Sequence, residues 1–541
     1  MIVPLWRWFD RNVLELGREL RIDYLPPLMV YLAAGISGLT GIVGTFYVKE
    51  HLGLSAEFLV ALGFWSMIPW AIKMPVGHVV DLLWRWKSWI VYLGAALIAA
   101  DLLIMVGLIA HTEAMRAVLP VETWFVLGTL LAPTGYVLQD VVADAMTVEA
   151  VPRFDAQGQP IPAETLKLMH TTMQTLGRVA IIGGSVLVSV VNVYLFAGVE
   201  ELPKAARTAL YAEVYALALL IPVASVLGTV LAALLHWRRV RQLAARGFSP
   251  GQIEQMLHVQ DERPAPNWWI LGGGVAFVAV SLFTGLSNLP FGQELIFVAS
   301  LAVVLFLMAR LLRELDPASR ETLAATAAVI FIFRAMPGPG PGSTWWMIDE
   351  LRFDESFLSE LSLIGSVLTL FGMFLFRRFM AERSISYVVG FLTIAGTVIA
   401  LPTIGMFYGL HHWTAAHTGG VVDARFIALV DTALESPLGQ ISMIPMLAWI
   451  ANSAPANLKA TYFAVMASFT NLALSASQLF TKYLNQIWIV TREVKDAATQ
   501  SVQVAADYSH LGVLLVAATG IGLVLPMLAI AAVRFMRLRT A

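Results

Sequence analysis

The chain contains no cysteine, which removes disulfides, thiol redox chemistry and cysteine-ligated metals from consideration. Charge is scarce as well: Asp, Glu, Lys and Arg make up 13% of the 541 residues, and the net charge is -2. A nucleic-acid partner needs a basic surface, and the composition offers none. The strict polar–apolar alternation of a membrane barrel is also missing. Residues 1–24 do not read as a cleavable leader, because Arg7, Asp10, Arg11, Glu15, Arg18 and Glu19 interrupt any apolar core. With Trp6, Trp8, Phe9, Leu14 and Leu16, that segment is expected to lie at a membrane surface on the cytoplasmic side.

What the chain has is apolar length. Hydrophobic residues make up 58% and mean hydropathy is +0.74, the composition of an all-α polytopic membrane protein. Runs long enough to span occur near 25–48, 57–80, 88–110, 121–150, 166–197 and 208–235. After a polar stretch at 236–266, further runs follow near 268–288, 292–313, 319–336, 356–379, 384–409, 421–450, 459–488 and 509–533. At roughly 20 residues per span this predicts about fourteen helices, with both termini on one side. The basic clusters Arg238-Arg239-Val240-Arg241, Arg310 with Arg313 and Arg320, Arg377-Arg378 with Arg383, and Arg534 with Arg537 and Arg539 all fall on that side. Positive charge marks the cytoplasm, so both termini are expected there, in a cell's inner (plasma) membrane. The expected organisation is a six-helix bundle at 25–235, a cytoplasmic linker at 236–266, an inserted helix pair at 267–316 and a second six-helix bundle at 317–541. The longest outer connection, near 489–508, reads as a short loop.

Carboxylates at bilayer depth are expensive and tend to serve function. Asp140 and Asp144 lie one turn apart on the fourth helix and share a face, while Glu149 points elsewhere near its end. Asp431 and Glu435 repeat the acid-x-x-x-acid spacing in the twelfth helix, which is the fourth of the second bundle. Two like bundles around a central site is a transporter plan, and it predicts that the two acid pairs face one another. Pro437 follows the second pair and should kink its helix. Lys73 lies deep in the second helix and needs a carboxylate or an anionic ligand. Gly77, Asp81 and Arg85 close that helix. There a small residue is expected to permit close approach and the acid to cap a helix or pair with a base, which makes them gating candidates.

Arg178 and Arg334 are the guanidinium candidates for clamping a carboxylate, since a fork can donate two parallel hydrogen bonds. Asp101, alone in the third helix, is a possible ion partner for either. The tract Pro337-Gly338-Pro339-Gly340-Pro341-Gly342 cannot continue a helix and predicts a break. Lys482 reads as a snorkelling lysine, and Trp345, Trp346, Trp449 and Tyr462 as interface aromatics. His411, His412 and His417 read as a solvated loop rather than a metal site, and no metal or cofactor is called for.

Pro69-Trp70…Lys73…Gly77…Asp81, then Asp140-Val-Val-Ala-Asp144…Val148-Glu149, resemble the folate–biopterin transporter family, a branch of the major facilitator superfamily. The likeness continues through Phe331-Ile-Phe-Arg334-Ala-Met-Pro337, Leu351-Arg-Phe-Asp-Glu-Ser-Phe357, Asp431…Gly439-Gln440-Ile441…Met443-Ile-Pro445 and Ala464-Val-Met-Ala-Ser468-Phe-Thr-Asn471. Two departures stand out: Met74 separates Lys73 from Pro75, and the Pro-Gly tract replaces a Pro-Ser type of turn. The resemblance implies proton-linked or exchange movement of folates, pterins or related anions by a protein expected to be monomeric among the lipids. On that reading Lys73, Asp140, Arg178, Arg334 and Asp431 bind substrate, and Asp144, Glu149 and Glu435 handle the coupling proton. Two other classes compete. One is a membrane assembly factor that serves pigment–protein complexes without transporting. The other is an intramembrane prenyltransferase, whose paired acids would hold magnesium for a diphosphate.

The orientation has a direct test on a cysteine-free chain. Single cysteines placed in the 236–266 linker should react with a membrane-impermeant maleimide only after cells are opened; reaction in intact cells would reverse the assignment.

Overall fold

The computed structural model describes residues 15–51, 54–71, 73–152, 154, 159–257, 266–286, 289–313, 317–376, 379, 383–439, 459–495 and 502–540. Helix α1 (Leu25–Gly35) carries Pro26 and Pro27 in its first turn, where a missing N–H costs nothing. A tight turn at Ile36–Thr40 leads into α2 (Gly41–His51). Then come α3 (Ala56–Ala71), α4 (Lys73–Leu82), α5 (Lys87–Ala110), α6 (Val121–Ala150), α7 (Ala163–Leu195), α8 (Lys204–Ala218) and α9 (Leu220–Ala245). The inserted pair is α10 (Trp268–Leu286) and α11 (Gly292–Leu312). The second bundle comprises α12 (Pro317–Arg334), α13 (Gly342–Asp349), α14 (Glu355–Leu375), α15 (Ile385–Phe407), α16 (Leu410–His417), α17 (Ala424–Glu435), α18 (Lys459–Ile487) and α19 (Leu511–Phe535).

Among the described residues ten spans are long and apolar enough to cross a membrane, with α10 a shorter apolar helix. The expected fourteen are not reached on apolarity alone. Helix α12 opens with Arg320 and Glu321, and α18 carries Ser468, Thr470, Ser475, Thr481 and Asn485, all buried against protein. Helix α17 gives way after Glu435 to a turn at Ser436–Leu438, as Pro437 predicted, and the rest of the expected 421–450 span lies outside the described residues.

Small residues set the tightest crossings. A methyl group added at Gly94 would fall 2.6 Å from the Gly135 carbonyl oxygen, and one at Gly135 would fall 2.5 Å from that of Gly94. Helices α5 and α6 therefore touch backbone to backbone, which only glycine allows. Gln139 locks the crossing from inside, donating to the Val91 carbonyl (3.3 Å) and to Ser225 Oγ (2.8 Å). Gly372 does the same for the second bundle, where a methyl would meet the Pro437 carbonyl at 2.3 Å. Gly77 behaves differently from expectation: a methyl there would sit 3.8 Å from Val141, an ordinary contact, so α4 and α6 do not need glycine at that point.

The inserted pair is moored to both bundles. Gln293 on α11 donates to the Ala61 carbonyl of α3 (2.9 Å), and Lys482 on α18 reaches Gln293 Oε1 (3.1 Å) and Glu294 (3.4 Å). Lys482 is thus an anchoring ion pair rather than a snorkelling cation. The connection near 489–508 also departs from a plain loop: β1 (Val494–Lys495) and β2 (Val502–Val504) pair antiparallel, favoured by their β-branched residues. Trp345 and Trp346 are 2% and 5% exposed, inside a core with Leu511, Leu514 and Tyr508, and not at an interface. Trp449 and the Tyr462 side chain fall outside the described residues. Residues 410–417 are helical, and no three-ligand metal cluster occurs among the described residues.

Gly135→Val should therefore lower the stability of the detergent-purified protein by about 1–3 kcal/mol. Gly77→Ala should change it by less than about 0.5 kcal/mol. Thermal unfolding followed by tryptophan fluorescence measures both, and equal effects would contradict the packing described.

Candidate functional site

Helix α6 presents Asp140 and Asp144 to the first residue of α4. Lys73 Nζ lies 2.6 Å from Asp140 and 2.8 Å from Asp144, so one ammonium bridges two carboxylates. The tyrosine of α1 completes the group: Tyr31 donates its hydroxyl to Asp144 Oδ1 at 2.6 Å. Its ring reaches there because residue 177 has no side chain; a Cβ at Gly177 would meet the ring at 2.9 Å. The next residue, Arg178, makes no hydrogen bond or ion pair with the described residues, yet its charge acts on Asp140 and Tyr31. Behind the acids, Thr147 donates to the Asp144 carbonyl (2.7 Å) and accepts from Gln174 Nε2 (3.2 Å). Helices α1, α4, α6 and α7 thus meet at one polar node. Of the two acids Asp144 is the more open, 40% exposed against 19% for Asp140.

The remaining sequence-derived candidates are placed elsewhere. Glu149 pairs with Lys87 (2.6 Å), which also lies 4.3 Å over Trp84, and so it closes the end of α6 rather than serving Asp144. Asp81 makes no hydrogen bond or ion pair among the described residues and Arg85 is exposed, so the expected pairing at the end of α4 is not formed. Asp431 accepts from Thr403 (3.1 Å), and its Oδ1 is buried without a partner. Glu435 is exposed. Helix α17 packs on α14 and α15, and no bond joins its acids to Asp140 or Asp144 among the described residues. The two acid pairs are therefore not one cluster.

Arg334 ends α12, and the Pro-Gly tract that follows breaks the helix as expected. Ser477 of α18 donates to the Met336 carbonyl (2.6 Å), and Gly338 N–H donates to Thr481 (2.9 Å), which fixes the broken backbone. Arg334 itself finds no carboxylate among the described residues, and its Nε is buried without a partner. Asp101 pairs with neither arginine; it lies against Gly128, near Tyr136 and Tyr215. A cavity of about 320 Å³ lies between α3, the Pro-Gly tract and α18, lined by Leu59, Gly338, Pro341, Ser477 and Thr481 among others.

Sequence reasoning missed Tyr31, and it read Lys87 only as part of the basic loop after Asp81, not as the partner of Glu149. Tyr31 sits inside an apolar run and looks like one more core aromatic; the glycine that makes room for it is a helix and more than a hundred residues away.

The BT1 family model matches residues 286–534. A folate-biopterin transporter of Synechocystis sp. is 23% identical over 475 residues, which is 87% of this chain and 76% of that protein. Among solved structures, a POT family transporter in complex with a thioalcohol-conjugated peptide is 12% identical, with TM-score 0.53 over 96% of both chains. A bacterial homologue of the human drug peptide transporters is 14% identical, with TM-score 0.51 over 95% of this chain and 98% of that one. The chain accordingly has the major facilitator fold, two helical bundles with an inserted pair, and is a multi-pass membrane protein.

Removing Lys73 should leave two carboxylates facing one another. Lys73→Met is expected to destabilise the protein towards the lower end of about 3–5 kcal/mol, since Asp144 remains partly hydrated. Lys73→Met with Asp140→Asn should recover much of that loss. Thermal unfolding in detergent gives the comparison, and a double variant no better than the single would remove the ion triad as the cause.

Proposed function

We propose that the chain is a secondary active transporter that moves folate, a pterin or a related small organic anion by alternating access, coupled to protons. Its orientation on this reading is an inner (plasma) membrane with both termini cytoplasmic. The name of the Synechocystis relative supports the substrate class. The observation that carries the reading is a charge count at bilayer depth. Lys73 and Arg178 balance Asp140 and Asp144, whereas Arg334 has no anionic partner among the described residues. A buried guanidinium without an acid is a site for an anionic ligand.

The same count gives a coupling rule. A ligand carboxylate that engages Arg178 takes one positive charge away from the node, which then holds two acids against Lys73 alone. Taking up one proton restores neutrality, because like charges and desolvation disfavour a second carboxylate anion in a dry site. Asp144 is the acid assigned to that proton. It is the more exposed of the two, and Tyr31 can turn its hydroxyl hydrogen elsewhere once Asp144 is protonated. A pterin edge with adjacent N–H donors suits a carboxylate such as Asp140 or Asp431 as acceptor. The prenyltransferase alternative loses support from the geometry, since Lys73 already occupies the space between Asp140 and Asp144 that a magnesium ion would need.

Two substitutions test the reading in reconstituted vesicles. Asp144→Asn should still exchange labelled ligand across the membrane but no longer accumulate it against a gradient at low external pH; retained accumulation would remove Asp144 as the coupling group. Arg334→Gln should weaken an acidic pteridine by about tenfold or more while sparing a neutral analogue. Equal losses for both ligands would make Arg334 structural.

A further inference from the structure

Among the described residues, the polar bonds joining the two bundles run from mid-height, where Asn471 donates to the Trp70 carbonyl (3.3 Å), towards one end only. That end holds residues 54–55, 196–203, 350–354, 488–495 and 502–510, opposite residues 236–257. There Lys49 pairs with Asp349 (2.5 Å), which also accepts from Tyr508 (2.5 Å). Tyr211 donates to Glu355 (2.5 Å), Gln486 to Glu57 (2.6 Å), and Ser189 shares a hydrogen bond with Ser362 (2.8 Å).

In the midst of these contacts lies Arg492, a residue that no motif marked. Its side chain is 3% exposed and lies 5.2 Å over the Trp345 ring. Among the described residues no carboxylate takes its charge as a direct ion pair. Nη1 donates instead to the carbonyls of Val48 and Lys49, and Nη2 to that of Leu54 (3.4 Å). These three carbonyls belong to the end of α2 and the turn into α3, so a residue of the second bundle grips the backbone of the first. Burial lowers its pKa to about 10, which leaves it charged at neutral pH.

We propose that Arg492 is the latch of a gate on this face, holding the transporter closed there by gripping three peptide carbonyls across the bundle interface. Helix C-termini leave carbonyls unsatisfied, and α2 ends at this point, so the latch uses acceptors that the fold must expose in any case. A planar fork can serve several carbonyls from one position, whereas a lysine ammonium on a thinner stem cannot reproduce that spread. The grip also reads main chain rather than side chain, so substitutions within 48–54 should leave it intact as long as the turn is kept. When the gate opens, water at this face can solvate both the guanidinium and the carbonyls, which makes the latch reversible in a way that a bond at mid-membrane is not.

The test needs no ligand, so its outcome is independent of the proposed substrate and coupling. A single reporter, Leu59→Cys, is placed in the cavity beneath the latch in the cysteine-free chain, and the protein is held in lipid nanodiscs. Its reaction rate with a water-soluble maleimide is compared with and without Arg492→Met. The expected result is labelling about tenfold faster in the Arg492→Met background. A second reporter on the opposite face, Trp86→Cys, should keep its rate. Arg492→Lys preserves charge and most of the bulk, guards against a misfolded Met variant, and should also accelerate Leu59→Cys. Unchanged labelling in a monodisperse Arg492→Met protein would overturn the latch, and unchanged labelling in Arg492→Lys would overturn the fork as its basis.

Discussion

A bare ammonium cannot be held at bilayer depth, and the first bundle is built around the solution to that constraint. Lys73 opens α4 and is neutralised twice over by α6, which binds these two helices to each other. That arrangement over-supplies negative charge by one, and the fold answers from two further helices, with Tyr31 of α1 donating a hydrogen bond and Arg178 of α7 supplying the balancing charge. The four helices are coupled through one small charge system. None of its members can change protonation or partner without altering what the others need. Among the described residues the second bundle contains no equivalent: Asp431 rests on a threonine, Glu435 is exposed, and Arg334 stands without a described acid. The two halves share a helical plan but not an electrostatic one.

How much of this was legible beforehand follows from the range of each interaction. Helix positions were readable because apolar length is a local property; Val121–Ala150 coincides with its predicted run. Asp140 and Asp144 were readable as a pair because one helical turn sets their spacing, and Lys73 because a lone cation in an apolar run needs a partner. The choice among partners was not readable. Glu149 went to Lys87 and Lys482 to Glu294, since each depends on which helices become neighbours. The echo of Asp140 and Asp144 in Asp431 and Glu435 misled for the same reason: equal spacing along two helices says nothing about the rotation of each helix about its own axis. Trp345 and Trp346 look like interface residues by type and are buried because α13 packs into a core with Val490, Tyr508, Leu511 and Leu514.

Arg492 marks the limit of motif reading. Its partners are main-chain carbonyls more than four hundred residues away in the chain. A bond to backbone leaves no complementary residue for a sequence reader to notice. The strand pair beside it was likewise read as a loop, because its strands are two and three residues long and pair across a connection. Both features sit on the face where the bundles meet, the part of the molecule whose structure depends most on tertiary assembly.

The inserted pair has a mechanical meaning. It bonds to α3 through Gln293 and to α18 through Lys482, on the flank where those two helices themselves pack. On the other flank α7 and α14 touch through serines, and Ser189 keeps a second acceptor in its own helix, the Ser185 carbonyl at 2.9 Å. A hydroxyl with a spare acceptor can let go of its neighbour at little cost, whereas parting Lys482 from Gln293 and Glu294 separates a charge pair as well as a hydrogen bond. The interface therefore has unequal compliance: one flank is a spine and the other a seam. Rotation of the bundles would pivot about the spine, and the seam would travel furthest.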